Sequence, residues 1–350
     1  MSIPTTLAEI TPEWLTEALA GRFPGARVTA CQPGIIVNGM ATKAQYKLTY
    51  AAAEDGLPSG PASLWIKGGF EAHSRAQPLA LANEAYFFRD IRPRLCIECP
   101  ESYYAVFDAE AANGIVLMED LLTRRVTFCN VAAGLDADAT ANVLELQARL
   151  HARFWASPEL GQFAWLSSGG SIAEDGVIDL FLGLWDGAER LPRFAEVPPK
   201  LRHRERNRAA LFRMFDLARA MPICLVHGDT HAGNLYFDPC GVPGYLDWQQ
   251  VMKGPWAHDV AGFLITALEA DQRRIHERSL LVHYLDCLRA AGADAPSFDA
   301  AWDAYRRHAM WTFLWTLCPT AFHPESTCVA VSRRACAAID DLESLTLLSS

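Results

Sequence analysis

The sequence predicts an α+β protein built of two parts. Residues 1–118 are rich in short extended runs separated by Gly- and Pro-containing turns. Beyond Leu121 the apolar residues recur at helical spacing, interrupted by one hairpin. A chain of 350 residues, 51% apolar and 21% charged, has the composition of a globular protein large enough to divide its core between two such parts.

The first element is a helix over PEWLTEALAGRF, with Gly21 near its end. Two extended pieces follow between Ala30 and Tyr50, around NGMATKA. EDGLPSGPAS breaks the chain before a short strand, LWIKGGF. PLALANEAYFFRDI reads as a helix stopped by Pro93. SYYAVFDAEAANGIVLMEDL reads as two strands joined by a turn at Asn113–Gly114.

In the second part, ATANVLELQARLHARFW places Val143, Leu146, Leu150 and Phe154 at helical spacing. VIDLFLGLWDGAERL and NRAALFRMFDLARAM continue the pattern. ICLV and LYF are short strands around the loop HGDTHAGN, and the turn DPCGVPG leads into a strand-like YLDWQQV. From about Asp259 the chain reads as helices, one of them strongly aromatic, AWDAYRRHAMWTFLWTLC.

A net charge of −10 and the lack of a basic stripe argue against a nucleic-acid surface. The N-terminus lacks the basic and apolar regions of a signal peptide, and no window reaches the ~20 apolar residues of a membrane span. Ten scattered cysteines in such a chain suggest reduced thiols in a cytoplasm. Cys96 and Cys99 form one C-x-x-C, but no second pair completes a zinc site.

The segment LVHGDTHAGNLYFD, Leu225 to Asp238, gathers the chemistry-bearing residues. Two histidines four apart share a face only on a helix, and here Gly228 and Gly233 mark a turn, so zinc is disfavoured. The setting of a nucleophilic serine is also missing. Oxygen ligands fit better. Pairing of the flanking strands would bring Asn234 near Asp247, and an amide oxygen with a carboxylate suits a hard cation such as Mg2+. Asp229, in the same loop, is then placed to orient an attacking hydroxyl, which is the constellation of phosphoryl transfer.

HGDTHAGN, followed by YLDWQ and GPWAHDVAGFL, resembles the aminoglycoside phosphotransferase and choline kinase superfamily over about Ala30 to Leu264. The resemblance implies a bilobal protein-kinase-like fold: a small N-lobe with an antiparallel sheet and one key helix, a hinge at residues 119–122, and a larger helical C-lobe over residues 123–350. It implies Asp229 as catalytic base, Asn234 and Asp247 as Mg2+ ligands, and Asp259 as a brace for the loop. ATP would lie between the lobes.

Such a fold also needs a strand lysine paired to a helical glutamate. Lys67 stands in an apolar strand and Glu84 on an apolar helix face with Phe87, Phe88 and Ile91; each buried charge accounts for the other. GIVLMEDL resembles the strand that enters the hinge, where backbone groups from Glu119 to Leu121 would bond the adenine. The phosphate-covering loop lacks G-x-G-x-x-G, yet Gly39, Thr42 and Lys43 stand where it belongs. His227 and His231 read as loop braces, the latter able to touch phosphate instead, and His151 as a packed helix residue.

The acceptor is less legible. Phe181 and Trp185, and Trp311 and Trp315, sit in strongly apolar segments, and the only acidic cluster near the C-terminus is Asp340, Asp341 and Glu343. An aminoglycoside site should offer many carboxylates to a polycation. NEAYFFRDI, LMEDL and DWQ also sit closer to the choline- and ecdysteroid-kinase-like branch. The expectation is an ATP- and Mg2+-dependent O-phosphotransferase acting on a neutral or apolar alcohol. Its rivals are an aminoglycoside O-phosphotransferase and a catalytically silent nucleotide-binding regulator. A protein kinase is disfavoured because HGD replaces H-R-D and no activation segment follows Asp247.

Overall fold

Residues 2–52, 60–168 and 176–349 are described in a computed structural model of the chain. They fall into two units, one comprising Met1–Leu95, Cys99–Val126 and Leu246–Gln250, the other Cys96–Glu98, Thr127–Tyr245 and Val251–Ser350.

The first unit is built on an antiparallel sheet. Its strands are β1 (Val28–Val37), β2 (Thr42–Tyr50), β3 (Ser63–Gly68), β4 (Ser102–Asp108) and β5 (Asn113–Glu119), in the order β1-β2-β3-β5-β4. One face carries Ala44, Leu64, Ile66, Ile115 and Leu117, all fully buried. The helix Pro12–Leu19 covers this face with Trp14, Leu15, Ala18 and Leu19. That helix starts where Thr11 accepts a hydrogen bond from the Trp14 backbone N–H and Pro12 fills the first turn. Each large aliphatic side chain so buried contributes about 1.5–3 kcal/mol. Register aligns Lys43, Lys67 and Val116 on the other face.

Two expectations are corrected here. The β4–β5 turn lies at residues 109–112 rather than at Asn113–Gly114. Asp108 Oδ1 accepts from the Glu110 and Ala111 backbone, and Ala112 takes the left-handed conformation that closes the turn. Asn113 and Gly114 are strand residues with tertiary duties. Asn113 accepts from the Gly69 N–H and donates to the Pro4 carbonyl, while a Cβ on Gly114 would stand 2.5 Å from the Leu81 carbonyl oxygen. The helix stopped at Pro93 also changes character early. It is α-helical over Pro78–Tyr86, widens into a π-turn over Phe87–Ile91 and ends in a 3-10 turn containing Pro93, which has no N–H to continue the ladder.

The second unit holds β6 (Thr127–Phe128), β7 (Ile223–Val226), β8 (Leu235–Phe237), β9 (Pro243–Tyr245) and β10 (Met252–Pro255). β6, β8 and β9 form one small sheet, and β7 pairs with β10. Around them stand the helices Ala137–Arg153, Arg204–Ala218, Trp256–Ala267, Ala270–Ala290, Phe298–His308 and Glu325–Asp341. Trp256–Ala267 is buried at every position but Gly262, as expected of an element surrounded by others.

Departures from the sequence reading have local causes. VIDLFLGLWDGAERL forms two short helices, Val177–Gly183 and Trp185–Ala188, rather than one. The aromatic helix is α-helical only to His308 and continues as a 3-10 helix over Ala309–Leu317. There the Thr312 and Thr316 hydroxyls donate to the carbonyls three residues back, which suits the tighter winding. YLDWQQV is a strand only through Tyr245, because Asp247 has φ +61°, a left-handed conformation that ends an extended run. Trp248–Gln250 is a 3-10 turn.

His308 ties stability to pH. Its Nδ1–H donates to the Ala304 carbonyl, while its buried Nε2 has no partner among the described residues. Burial pushes its pKa down to about 4. An unfolded chain takes up this proton near pH 6.5 and the folded one does not, so stability is full above pH 6.5 and falls as the pH drops. The loss should reach about 2 kcal/mol at pH 5, read as the drop in urea-unfolding free energy from pH 7. His308→Gln should flatten that slope; an unchanged slope would remove His308 as its source.

Candidate active site

In the first unit, four charged side chains meet on the face of the sheet that carries Lys67. The Lys67 ammonium lies 2.7 Å from Glu84 and 2.8 Å from Asp247, and Lys43, its neighbour across β2, lies 3.2 Å from Asp247. Lys67 and Glu84 are both almost fully buried. Burial disfavours the charge on Lys67, but Asp247 and Glu84 outweigh it and hold its pKa above the ordinary lysine value. Burial likewise works against the Asp247 carboxylate, and the two ammonium groups reverse that, keeping it well below the usual carboxylate range.

The elements position these groups firmly. Glu84 Oε1 also accepts from the Trp248 backbone N–H at 3.3 Å, and Asn83 donates to the Gln249 carbonyl. Trp248 stacks on Phe87 with ring centroids 3.9 Å apart. The π-turn thus seats the aromatic that fixes the residue after Asp247. The left-handed backbone at Asp247, a conformation costing of order 1 kcal/mol or more, is held by these contacts.

The remaining first-unit candidates sit as follows. Thr42 is buried at the start of β2, opposite Gly68, and its hydroxyl has no partner among the described residues. Gly39 accepts from His73 through its carbonyl, and a Cβ there would meet nothing closer than 3.7 Å, so the position does not demand glycine. The Glu119 N–H is committed to the Glu101 carbonyl, and Leu121 opens a 3-10 turn. Between them lies a residue the sequence reading passed over. Asp120 accepts from Gln45, Ser63 and Trp65 side chains at 2.7–3.0 Å and from the Leu122 N–H, tying β2 and β3 to the chain leaving β5.

In the second unit, the loop after β7 is held from beneath. Asp259 accepts from the His227 and Gly228 backbone N–H groups at 2.7 and 2.9 Å, and its own carbonyl accepts from Thr230. Gly228 has φ +84°, which glycine adopts without strain. The buried carboxylate also takes His151 Nε2 at 3.2 Å, whose Nδ1 contacts the Tyr284 hydroxyl at 2.8 Å. Burial alone would raise the Asp259 pKa; the His151 hydrogen bond and nearby imidazoles bring it below the ordinary value.

His151 is therefore more than a packed helix residue, although nothing in RLHARFW signals its partner. His151→Phe keeps the volume and removes both bonds. It is expected to cost about 1–3 kcal/mol of stability. Urea unfolding at neutral pH measures this loss, and an unchanged unfolding free energy would reduce His151 to a packing role.

At the rim of the loop, Asn234 Nδ2 donates to the Asp229 carbonyl at 2.9 Å and to its Oδ2 at 3.1 Å. The Asn234 amide oxygen takes part in neither bond and is the end suited to a cation. His231 Nδ1 accepts from the Gly233 N–H, and its Nε2 lies 3.5 Å from Asp229 Oδ2. The His231 ring stands edge-on to Trp315 and His323, at 5.3 and 5.4 Å between centroids. Trp311 packs against His258 and Phe215, and Trp185 against Phe194 and Phe313 in the core. The C-terminal acidic cluster is committed to ion pairs: Asp340 with Lys200, Asp341 with Arg273 and Arg274, Glu343 with Arg306.

Residues 72–317 match the family described as phosphotransferase enzyme family. An uncharacterised kinase-like protein of Caenorhabditis elegans is 31% identical over 91 residues, covering 25% of this chain and 24% of that one. The match thus spans about a quarter of that relative's length. Among solved structures, the choline kinase LicA of Streptococcus pneumoniae aligns over 94% of this chain and 98% of its own, with a TM-score of 0.52 at 14% identity. A Plasmodium vivax ethanolamine kinase aligns over 90% of this chain and 83% of its own, with a TM-score of 0.51 at 12% identity. Likeness at such identity is one of fold, and it is the α+β, bilobal, kinase-like fold expected from the sequence.

Proposed function

The chain belongs to the phosphotransferase enzyme family, and from that premise we propose that it is an ATP-dependent, Mg2+-requiring kinase of small molecules that phosphorylates the hydroxyl of a neutral or apolar alcohol. Lys67, held by Glu84, binds the nucleotide phosphates, with Lys43 and the unpartnered Thr42 hydroxyl suited to the same anion. Glu119 to Leu121 would take the adenine, and Asp247 and Asn234 are the residues that would hold Mg2+. When bound, the ion neutralises charge on the phosphates being separated. Asp229, steadied by Asn234, orients the acceptor hydroxyl for in-line attack and takes its proton late.

One observation carries the acceptor class. His231 stands 3.5 Å from the Asp229 carboxylate and packs edge-on to Trp315 and His323, an aromatic cluster, while Glu325 is paired with Arg193 and the C-terminal acids are paired as above. A polycation would call for unpaired carboxylates there.

Two variants separate machinery from pocket. Asp247→Asn should reduce turnover by about a hundredfold or more, whereas Trp315→Ala should raise KM by roughly tenfold with a smaller effect on turnover. The reverse order would place Asp247 outside the machinery. The class of acceptor is tested by ADP release from ATP and Mg2+ against aminoglycosides, choline, sugars, hydroxy acids and their thioesters, and sterols. Saturable turnover on a neutral or apolar alcohol is expected. Tight, saturable phosphorylation of an aminoglycoside would overturn the acceptor assignment.

A further inference from the structure

Gly69 follows Lys67 by two residues, and the helix Pro78–Tyr86 carries Glu84 one turn beyond Leu81. The Lys67 strand and the Glu84 helix meet at a close-packed corner. A Cβ on Gly69 would stand 2.5 Å from Asn113 Oδ1 and 2.6 Å from Leu81 Cδ1, and one on Gly114 would stand 2.5 Å from the Leu81 carbonyl oxygen. Contacts this close leave neither element room to slide. Arg75, the last residue of the short helix Ala72–Arg75, spans the corner. Its Nη1 donates to the Gly69 carbonyl at 2.7 Å and to the Thr5 carbonyl at 3.1 Å. Asn113 closes the ring from the other side, accepting from the Gly69 N–H at 2.9 Å and donating to the Pro4 carbonyl at 2.8 Å.

We propose that Arg75 is a positioning residue for the nucleotide phosphates. By holding Gly69 against the chain at Pro4 and Thr5, it fixes where the Lys67 strand ends and where the Glu84 helix begins, and so sets the 2.7 Å contact between the two side chains. A cation in the last turn of a helix ordinarily serves that helix's own carbonyls. Here both acceptors lie outside the helix, one on each side of it in sequence. Arg75 is half-buried and forms no ion pair among the described residues, so its guanidinium makes charge-assisted bonds to backbone instead. The buried Lys67–Glu84 pair is sensitive to such support, because its two members come from different elements and its geometry must stay close. A shift of about 1 Å in either element would turn the ammonium away from its working position, and misplacement of that size costs up to about a hundredfold.

The effect on binding rests on Lys67 holding phosphate, as proposed above; the clamp on the corner does not. Affinities for MgATP and for adenosine, which has no phosphates, are measured by calorimetry on the unaltered protein, Arg75→Met and Arg75→Lys. Arg75→Met should weaken MgATP by about tenfold or more and adenosine by less than about twofold, and Arg75→Lys, which keeps a donor for the carbonyls, should recover most of the loss. Equal losses for both ligands, no loss for MgATP, or no recovery in Arg75→Lys would overturn the positioning role. Hydrogen exchange judges the clamp without nucleotide. In Arg75→Met the amides of Pro78–Tyr86 should exchange at least about fivefold faster while those of Pro12–Leu19, in the same unit, keep their rate. Acceleration of both helices alike, or of neither, would overturn the clamp. An unaltered protein that binds no MgATP would count against the kinase reading, and hydrogen exchange would still decide the clamp.

Discussion

Asp229→Asn should lower acceptor-dependent turnover by about a thousandfold or more, the upper range for loss of a positioned general base in proton transfer. The substitution keeps the size and the acceptor oxygen of the side chain, so the Asn234 contact at 3.1 Å and the loop itself have no reason to collapse. The loop's backbone is held from Asp259, not from Asp229. Nucleotide affinity, measured by calorimetry with MgATP, should therefore stay close to that of the unaltered protein. Turnover that survives the change would remove Asp229 from the role, whichever acceptor is used.

Lys67→Met should be the most damaging change to the first unit. It leaves Glu84 buried without its cation, and breaking a buried pair in this way costs about 3–5 kcal/mol. Activity would fall as well, by about a hundredfold or more if the lysine clamps transferring phosphate. A double variant separates the two effects. Lys67→Met with Glu84→Leu removes both charges, so much of the stability should return while activity does not. Urea unfolding and turnover measured on both variants decide the matter. Recovery of turnover in the double variant would mean that the pair serves only the fold.

Which features could be read in advance follows from where their causes lie. Lys67 and Glu84 were legible because a charge inside an apolar pattern needs a partner, and two such charges stood close in sequence. Asp229 and Asn234 stand in one loop, so their meeting could be expected, and Asn234 does donate to the Asp229 carboxylate. The resemblance implies Asp259 as a brace, and its carboxylate does hold the His227 and Gly228 N–H groups. Its partner His151, 108 residues away, and Asp120, which gathers side chains from β2 and β3, have no local pattern. Asn113–Gly114 misled because the pair commonly turns a hairpin, whereas here Gly114 is small to admit Leu81 and Asn113 bonds distant backbone. The left-handed Asp247 ended an expected strand for a reason visible only in the contacts that hold Trp248 and Gln249 after it.

Transfer of the γ-phosphoryl group of ATP to a small-molecule hydroxyl can be followed through the phosphorus of MgATP by 31P NMR in the presence of an alcohol that supports ADP release. A new phosphate-monoester resonance from the acceptor is expected, growing in step with ADP and missing with Asp229→Asn. Inorganic phosphate as the sole product, or bound ATP that persists unchanged with every alcohol, would contradict it.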